Sequence, residues 1–270
     1  MTTGIVTDST TTLLPEVAGR PDVRVVPLTF RFGEEVFTDK VDMTNEEFFA
    51  RLASSKDFPT TSQPSAGAFV EAYEELSAYD DLLVLTISSE LSGTYESARA
   101  AAEMVDRKIE VVDSRSAEVG SGLILMEALR VIDSGGDFGE VLRAVRQAIR
   151  RCRALFAVGT LEYLERSGRI GRAQRLLGST LDIRPVLVLE DGVISPYKRT
   201  RGRKRQLAAI VERMRPVVEE GRPIFFGHVD AAEPLRRLME ELGVPDAPVA
   251  EIGGVVGCHV GPGTYGVAHL

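Results

Sequence analysis

Short runs of Val, Ile and Leu alternate along the chain with longer stretches whose apolar residues recur at helical spacing. Strands and helices that take turns in this way build α/β layers rather than a helical bundle or an all-β sandwich. Gly4 to Val6 predicts a first strand ending in Asp8-Ser9-Thr10, and Val23 to Phe32 a second. Gly33-Glu34-Glu35 then turns the chain into Val36-Phe37, and Thr44 followed by Glu47 marks a helix start, because each side chain can satisfy the other's backbone amide. Phe58 to Ser65, FPTTSQPS, interrupts the pattern: its two prolines forbid regular helix, while Ser65 can cap a helix from Ala66 to Tyr79. A loop with no core to build is expected here, its hydroxyls free for other use.

Leu82 to Ile87 predicts a buried strand that leads through Ser88-Ser89-Glu90-Leu91-Ser92-Gly93 into a helix from Thr94 to Val105, with Ile109 to Val112 as the next strand. Together they form a βαβ unit. Helices are expected from about Gly120 to Ile132 and from Phe138 to Arg151, separated by Gly135-Gly136. In the second half, a strand from Ala154 to Val158 precedes a helix, Leu161 to Arg166, that stops at Ser167-Gly168. Asp191-Gly192 between VLVLE and VISPYK is a hairpin signal. A helix from Arg203 to Glu220, a strand from Ile224 to His228, a helix from Pro234 to Leu242 and a glycine-rich end follow. The pattern predicts an α/β protein of two domains, 1–152 and 153–270, divided near Cys152.

Composition narrows the partners. With 270 residues, 44% hydrophobic and 27% charged, the chain is of ordinary globular make-up. No basic segment followed by an apolar stretch opens it, and no apolar run approaches the ~20 residues of a membrane helix, so a cytoplasmic protein with no integral membrane association is expected. The net charge of −8 opposes binding to nucleic acid or an anionic membrane surface. Cys152 and Cys258 stand far apart without ligand spacing, so they read as buried thiols, with no metal expected.

Two hydroxyl clusters, Thr60-Thr61-Ser62 and Ser88-Ser89 with Ser92 and Thr94, stand at loop positions. Ser92-Gly93-Thr94 lies where a strand hands over to a helix, so it is either a helix cap or an anion site served by free backbone amides. His259 sits within Gly257-Cys258-His259-Val260-Gly261-Pro262-Gly263, where small residues allow close backbone approach. Of the other histidines, His228 falls on an expected strand and His269 at the fraying terminus. Arg169, just beyond a helix-ending glycine, either reaches a cleft or caps that helix. GPGTYG matches a dinucleotide fingerprint in letters only, since four residues remain after it. No GxxxxGK[ST], HExxH or GxSxG occurs.

TDSTTTL, TTSQPS (60–65), SSELSGTYESA (88–98), DSRSAEVGSG (113–122), SGRIGR (167–172) and GCHVGPGTYG (257–266) together resemble the DegV family, bacterial fatty-acid-binding proteins that include the FakB subunits of fatty acid kinase. The resemblance implies a DegV-like fold, an N-terminal doubly wound α/β domain and a C-terminal α/β domain, with a lipid tunnel between them. It implies a long-chain fatty acid as ligand, no cofactor, and a separate fatty acid kinase catalytic subunit that converts the bound acid to an acyl phosphate. It carries carboxylate binding onto Thr61, Ser62, Ser92, Gly93 and His259, and onto Arg169, although Ser167 replaces the first glycine of the arginine's usual motif. No catalytic residue is implied. The basic stretch KRTRGRKR, Lys198 to Arg205, is a solvated face, a nucleic-acid patch or, given the family, a docking surface for the kinase through Arg199, Arg201 and Arg203. A rival reading makes Ser92 the nucleophile and His259 the base of a lipid esterase.

Overall fold

The computed structural model describes residues 2–55, 57–177 and 183–270. The first half runs β1 (Thr3–Asp8), β2 (Val23–Val26), β3 (Thr29–Phe32), β4 (Glu35–Thr38), α1 (Asn45–Ser54), β5 (Thr60–Ser62), α2 (Ala66–Glu75) and β6 (Asp81–Thr86). It continues through α3 (Thr94–Ala102), β7 (Ile109–Asp113), α4 (Val119–Asp133) and α5 (Phe138–Arg151). The second half runs β8 (Arg153–Ala157), α6 (Glu162–Arg166), a short 3-10 helix (Gly171–Leu176), β9 (Val186–Glu190) and β10 (Val193–Lys198). It ends with α7 (Arg203–Glu219), β11 (Ile224–Val229), α8 (Ala232–Leu242), β12 (Val249–Glu251), α9 (Gly254–Val260) and β13 (Thr264–His269).

The strands β2-β1-β6-β7 form a parallel sheet. Its two central strands, β1 and β6, are buried along their whole length because both faces are covered. Ile5, Leu83 and Leu85 pack toward α4 and α5, while Val6, Leu82 and Val84 pack toward α2 and α3. Alternation along each strand therefore supplies two cores at once. The second sheet, β10-β9-β8-β13-β11-β12, is antiparallel except at β11–β12. Leu155, Phe226 and Val267 of one face pack on α7 and α8. The other face turns toward the first half, and one apolar cluster joins Ile5, Leu83 and Ile124 to Phe225 and Ala268.

Three features differ from the sequence reading. Val23 to Phe32 is two strands in two sheets, because Pro27 has no amide hydrogen to continue the parallel ladder. Thr60–Ser62, expected as loop, is the third strand of a small sheet β4-β3-β5, with Phe30 opposite Thr61. Its prolines, Pro59 and Pro64, flank the paired residues rather than fall among them. His269 does not fray: it lies buried in β13, between β8 and β11. The Asp191-Gly192 turn between β9 and β10 is formed as expected, both residues at positive φ.

Candidate functional site

Between the inner face of the six-stranded sheet, the end of β6 and the small sheet lies a cavity of about 400 Å³, within the roughly 300–1,000 Å³ of small-molecule sites. Most of its wall is apolar, with Leu28, Ile87, Val119, Phe156, Leu189 and Ile252 among the contributors. Thr61, Ser62, Ser92, Arg169 and His259, far apart in sequence, all line it.

Pairing with Phe30 fixes Thr61 on β5 so that its Oγ1 lies 2.9 Å from His259 Nε2. His259 is near the end of α9, a helix seated tightly by glycine. Gly254 holds φ +47 against the Asp39 carboxylate, and Gly261 holds φ +72 against the Tyr163 ring, so a Cβ at either position would collide. Burial, with the Arg169 guanidinium nearby, pushes the His259 imidazole down to about 4. It is neutral at physiological pH, and its Nδ1 is buried without a partner among the described residues. Ser92 Oγ and Thr94 Oγ1 share a hydrogen bond at 2.8 Å, and the N-cap position of α3 belongs to Gly93, which has no side-chain bond to offer. Ser92 Oγ also accepts a long bond from the Thr94 backbone amide at 3.4 Å, so it serves the start of α3 as well as lining the cavity.

Arg169 follows Gly168, whose φ of +75 reverses the chain after α6. Ser167 has φ −83, an ordinary right-handed value, so the serine needs no glycine's freedom there. Arg169 donates from Nε to Leu91 O at 3.2 Å and from Nη1 to Ser167 O at 2.7 Å. It therefore spans the two halves at the cavity wall.

Gly93 is not among the cavity-lining residues. Its carbonyl accepts from Gln63 Nε2 at 3.2 Å, and the same amide nitrogen donates to Ser97 at 3.0 Å. Gln63 itself lines the cavity, as does Glu118. Sequence reasoning passed over both, although each lies inside a motif quoted above. Arg199, Arg201 and Arg203 are exposed at the end of β10 and the start of α7, away from the cavity wall, and Lys198 beside them is paired with Glu212 at 2.6 Å.

The bond an esterase would need is not formed. His259 Nε2 meets Thr61, Ser92 meets Thr94, and Nδ1 has no acid to orient it among the described residues. No group of His, Cys, Asp and Glu among those residues is arranged to hold a metal, and no helix of theirs is long and apolar enough to cross a membrane.

Fold and site together define an α/β protein with a partly open, largely apolar cavity and one hydroxyl-rich, cationic corner. Residues 2–270 match the family model described as uncharacterised protein, DegV family, and the chain belongs to the DegV family. A DegV domain-containing protein of Deinococcus radiodurans is 35% identical over 275 residues, covering 99% of this chain and 98% of its own. The structure of a DegV family protein from Thermus thermophilus, described by its fatty acid binding, is 37% identical with a TM-score of 0.92, covering 100% of this chain and 99% of that one. The Fatty Acid Kinase (Fak) B3 protein of Streptococcus pneumoniae, loaded with linoleic acid, matches at a TM-score of 0.84 over 100% of this chain and 99% of its own. At 22% identity that likeness is one of fold.

Proposed function

We propose that this protein binds a long-chain fatty acid in the cavity, tail among the apolar residues and carboxylate at Thr61, Ser62, Ser92, His259 and Arg169. The observation that carries the reading is the convergence of those five side chains, from β5, the α3 approach, α9 and the α6 exit, on one apolar cavity. A carboxylate in such surroundings needs several donors, because leaving it unpaired costs several kcal/mol. Thr61, Ser62 and Ser92 offer hydroxyls and Arg169 a charge. With its proton on Nε2, His259 donates to Thr61 and frees that hydroxyl for the ligand. This tautomer also leaves no N–H orphaned at Nδ1. Burial of the tail is worth ~0.8 kcal/mol per methylene, so the tail supplies affinity and the head group orientation.

In the finer reading the protein presents its fatty acid to a separate kinase subunit in the cytoplasm, which phosphorylates the carboxylate, and contributes no catalytic residue itself. The family resemblance motivates this step, and the exposure of Ser62 and Arg169 supports it, since the head group is then reachable from outside. Residues 1–152 and 153–270 act as two domains closing on the ligand, and Arg199, Arg201 and Arg203 meet an acidic surface of the kinase. The test is reconstitution: protein loaded with fatty acid, mixed with a fatty acid kinase catalytic subunit and ATP, is expected to yield acyl phosphate. A loaded protein that yields none with a subunit active on another carrier contradicts the kinase role.

A further inference from the structure

The cavity has a second polar feature that carboxylate binding leaves unused. Among its lining residues Glu118 is the one acid, and its side chain is only 5% exposed. Glu118 stands at the N-cap of α4 with φ +46, where it makes no cap bond, so helix capping does not account for it. Its Oε2 accepts from Thr12 Oγ1 at 2.7 Å and lies 3.4 Å from Lys40 Nζ. Its Oε1 takes part in none of these bonds and is not a buried orphan atom, so it keeps accessible surface until a ligand covers it. The neighbouring Asp39 is committed elsewhere, to Ser9 Oγ at 2.7 Å and to Val255 N at 3.0 Å. That second bond ties this polar group to the start of α9, one helical turn before His259. The rise is 1.5 Å per residue, so the Asp39 contact at Val255 precedes His259 by about 6 Å along that helix.

A fatty acid with a plain hydrocarbon tail would cover Glu118 and leave Oε1 unsatisfied against methylenes, which is unfavourable for any buried polar group. A chain carrying a hydroxyl at the right carbon would satisfy it. We propose that Glu118, held by Thr12 and Lys40, is a second subsite of the cavity that selects fatty acids hydroxylated along the chain. The inference rests on the fatty acid reading above and deepens it: the first cluster takes the carboxylate, and Glu118 takes the hydroxyl.

The experiment is a competition series on delipidated protein, displacing a fluorescent fatty acid with stearic acid and with its 2-, 10- and 12-hydroxy derivatives. At least one hydroxy acid is expected to bind about tenfold more tightly than stearic acid, the value of one added hydrogen bond. Glu118→Ala is expected to abolish that preference while stearic acid still binds, and Glu118→Gln, which keeps an acceptor of the same shape, to retain part of it. Stearic acid binding as tightly as every hydroxy acid to the unaltered protein overturns the subsite, whatever the variants do. So does a preference that survives in Glu118→Ala. Failure of all the acids to bind overturns the fatty acid reading itself, and the subsite with it.

Discussion

The two polar regions of the cavity solve opposite problems. Around Thr61, His259, Ser92 and Arg169 there are donors and a cation but no acid, and burial keeps the imidazole neutral. Around Glu118 there is an acid, tied to one hydroxyl and one partly exposed lysine, and burial drives its carboxyl up to about 7. The first region is short of negative charge and the second is reluctant to hold one. A carboxylate is directed to the first by charge alone, before shape is considered. Orientation of a fatty acid can thus be decided by where a protein withholds an acid as much as by where it places a base.

The largest expected effect is on the first region. Thr61→Val removes a hydroxyl that the proposed site assigns to the carboxylate and strands His259 Nε2, so affinity for fatty acid is expected to fall about 10- to 100-fold. Displacement of a fluorescent fatty acid measures it, and a fall of less than about threefold would remove Thr61 from the carboxylate site.

The pH dependence of stability separates the regions by sign. Glu118 has its folded pKa raised by burial to about 7 from the ordinary 4.5 of a glutamate. Its contribution is intact below 4.5 and is lost as pH rises through 7, by ~3 kcal/mol in all. His259 has its folded pKa lowered to about 4 from 6.5. Its contribution is intact above 6.5 and is lost as pH falls toward 4, by a similar ~3 kcal/mol. Between about pH 4.5 and 6.5 the two contributions therefore oppose each other, and denaturant unfolding is expected to show, relative to the unaltered protein, stability rising more steeply with pH in Glu118→Gln and falling with pH in His259→Gln. Identical profiles for the two variants would break the contrast.

Smaller effects are expected outside the cavity. Reversing Arg199, Arg201 and Arg203 to glutamate is expected to slow association with the kinase subunit about tenfold at low salt, less at high salt, and to leave fatty acid affinity unchanged. Surface plasmon resonance at two ionic strengths reads both. Smallest of all is Ser167→Gly: since Ser167 has an ordinary φ, affinity is expected to be unchanged and stability to fall by less than about 1 kcal/mol in thermal unfolding.

Much of the first region was legible in the sequence through the resemblance of its motifs to the DegV family, since taken singly Ser92 and Arg169 read equally well as helix caps. What sequence could not supply was the pairing. Thr61 is 198 residues from its partner His259, and only the antiparallel addition of β5 to β3 brings it there. FPTTSQPS looked like loop because prolines dominate its local preference, yet three residues between prolines suffice for a strand when a neighbour offers an edge. Glu118 escaped notice for a different reason. An acid between alanine and valine before a helix reads as surface, and its burial follows from the docking of α4 between two sheets, a tertiary fact. The division of β2 from β3 was signalled by Pro27 and overlooked in a long apolar run.

The most direct test of a fatty acid held at the first region is native mass spectrometry of the purified protein, followed by denaturation and identification of the released molecule. One long-chain fatty acid per chain is expected, retained by the unaltered protein and diminished in His259→Ala and Ser92→Ala. A protein that emerges empty, and that takes up no fatty acid when one is added, would contradict the account.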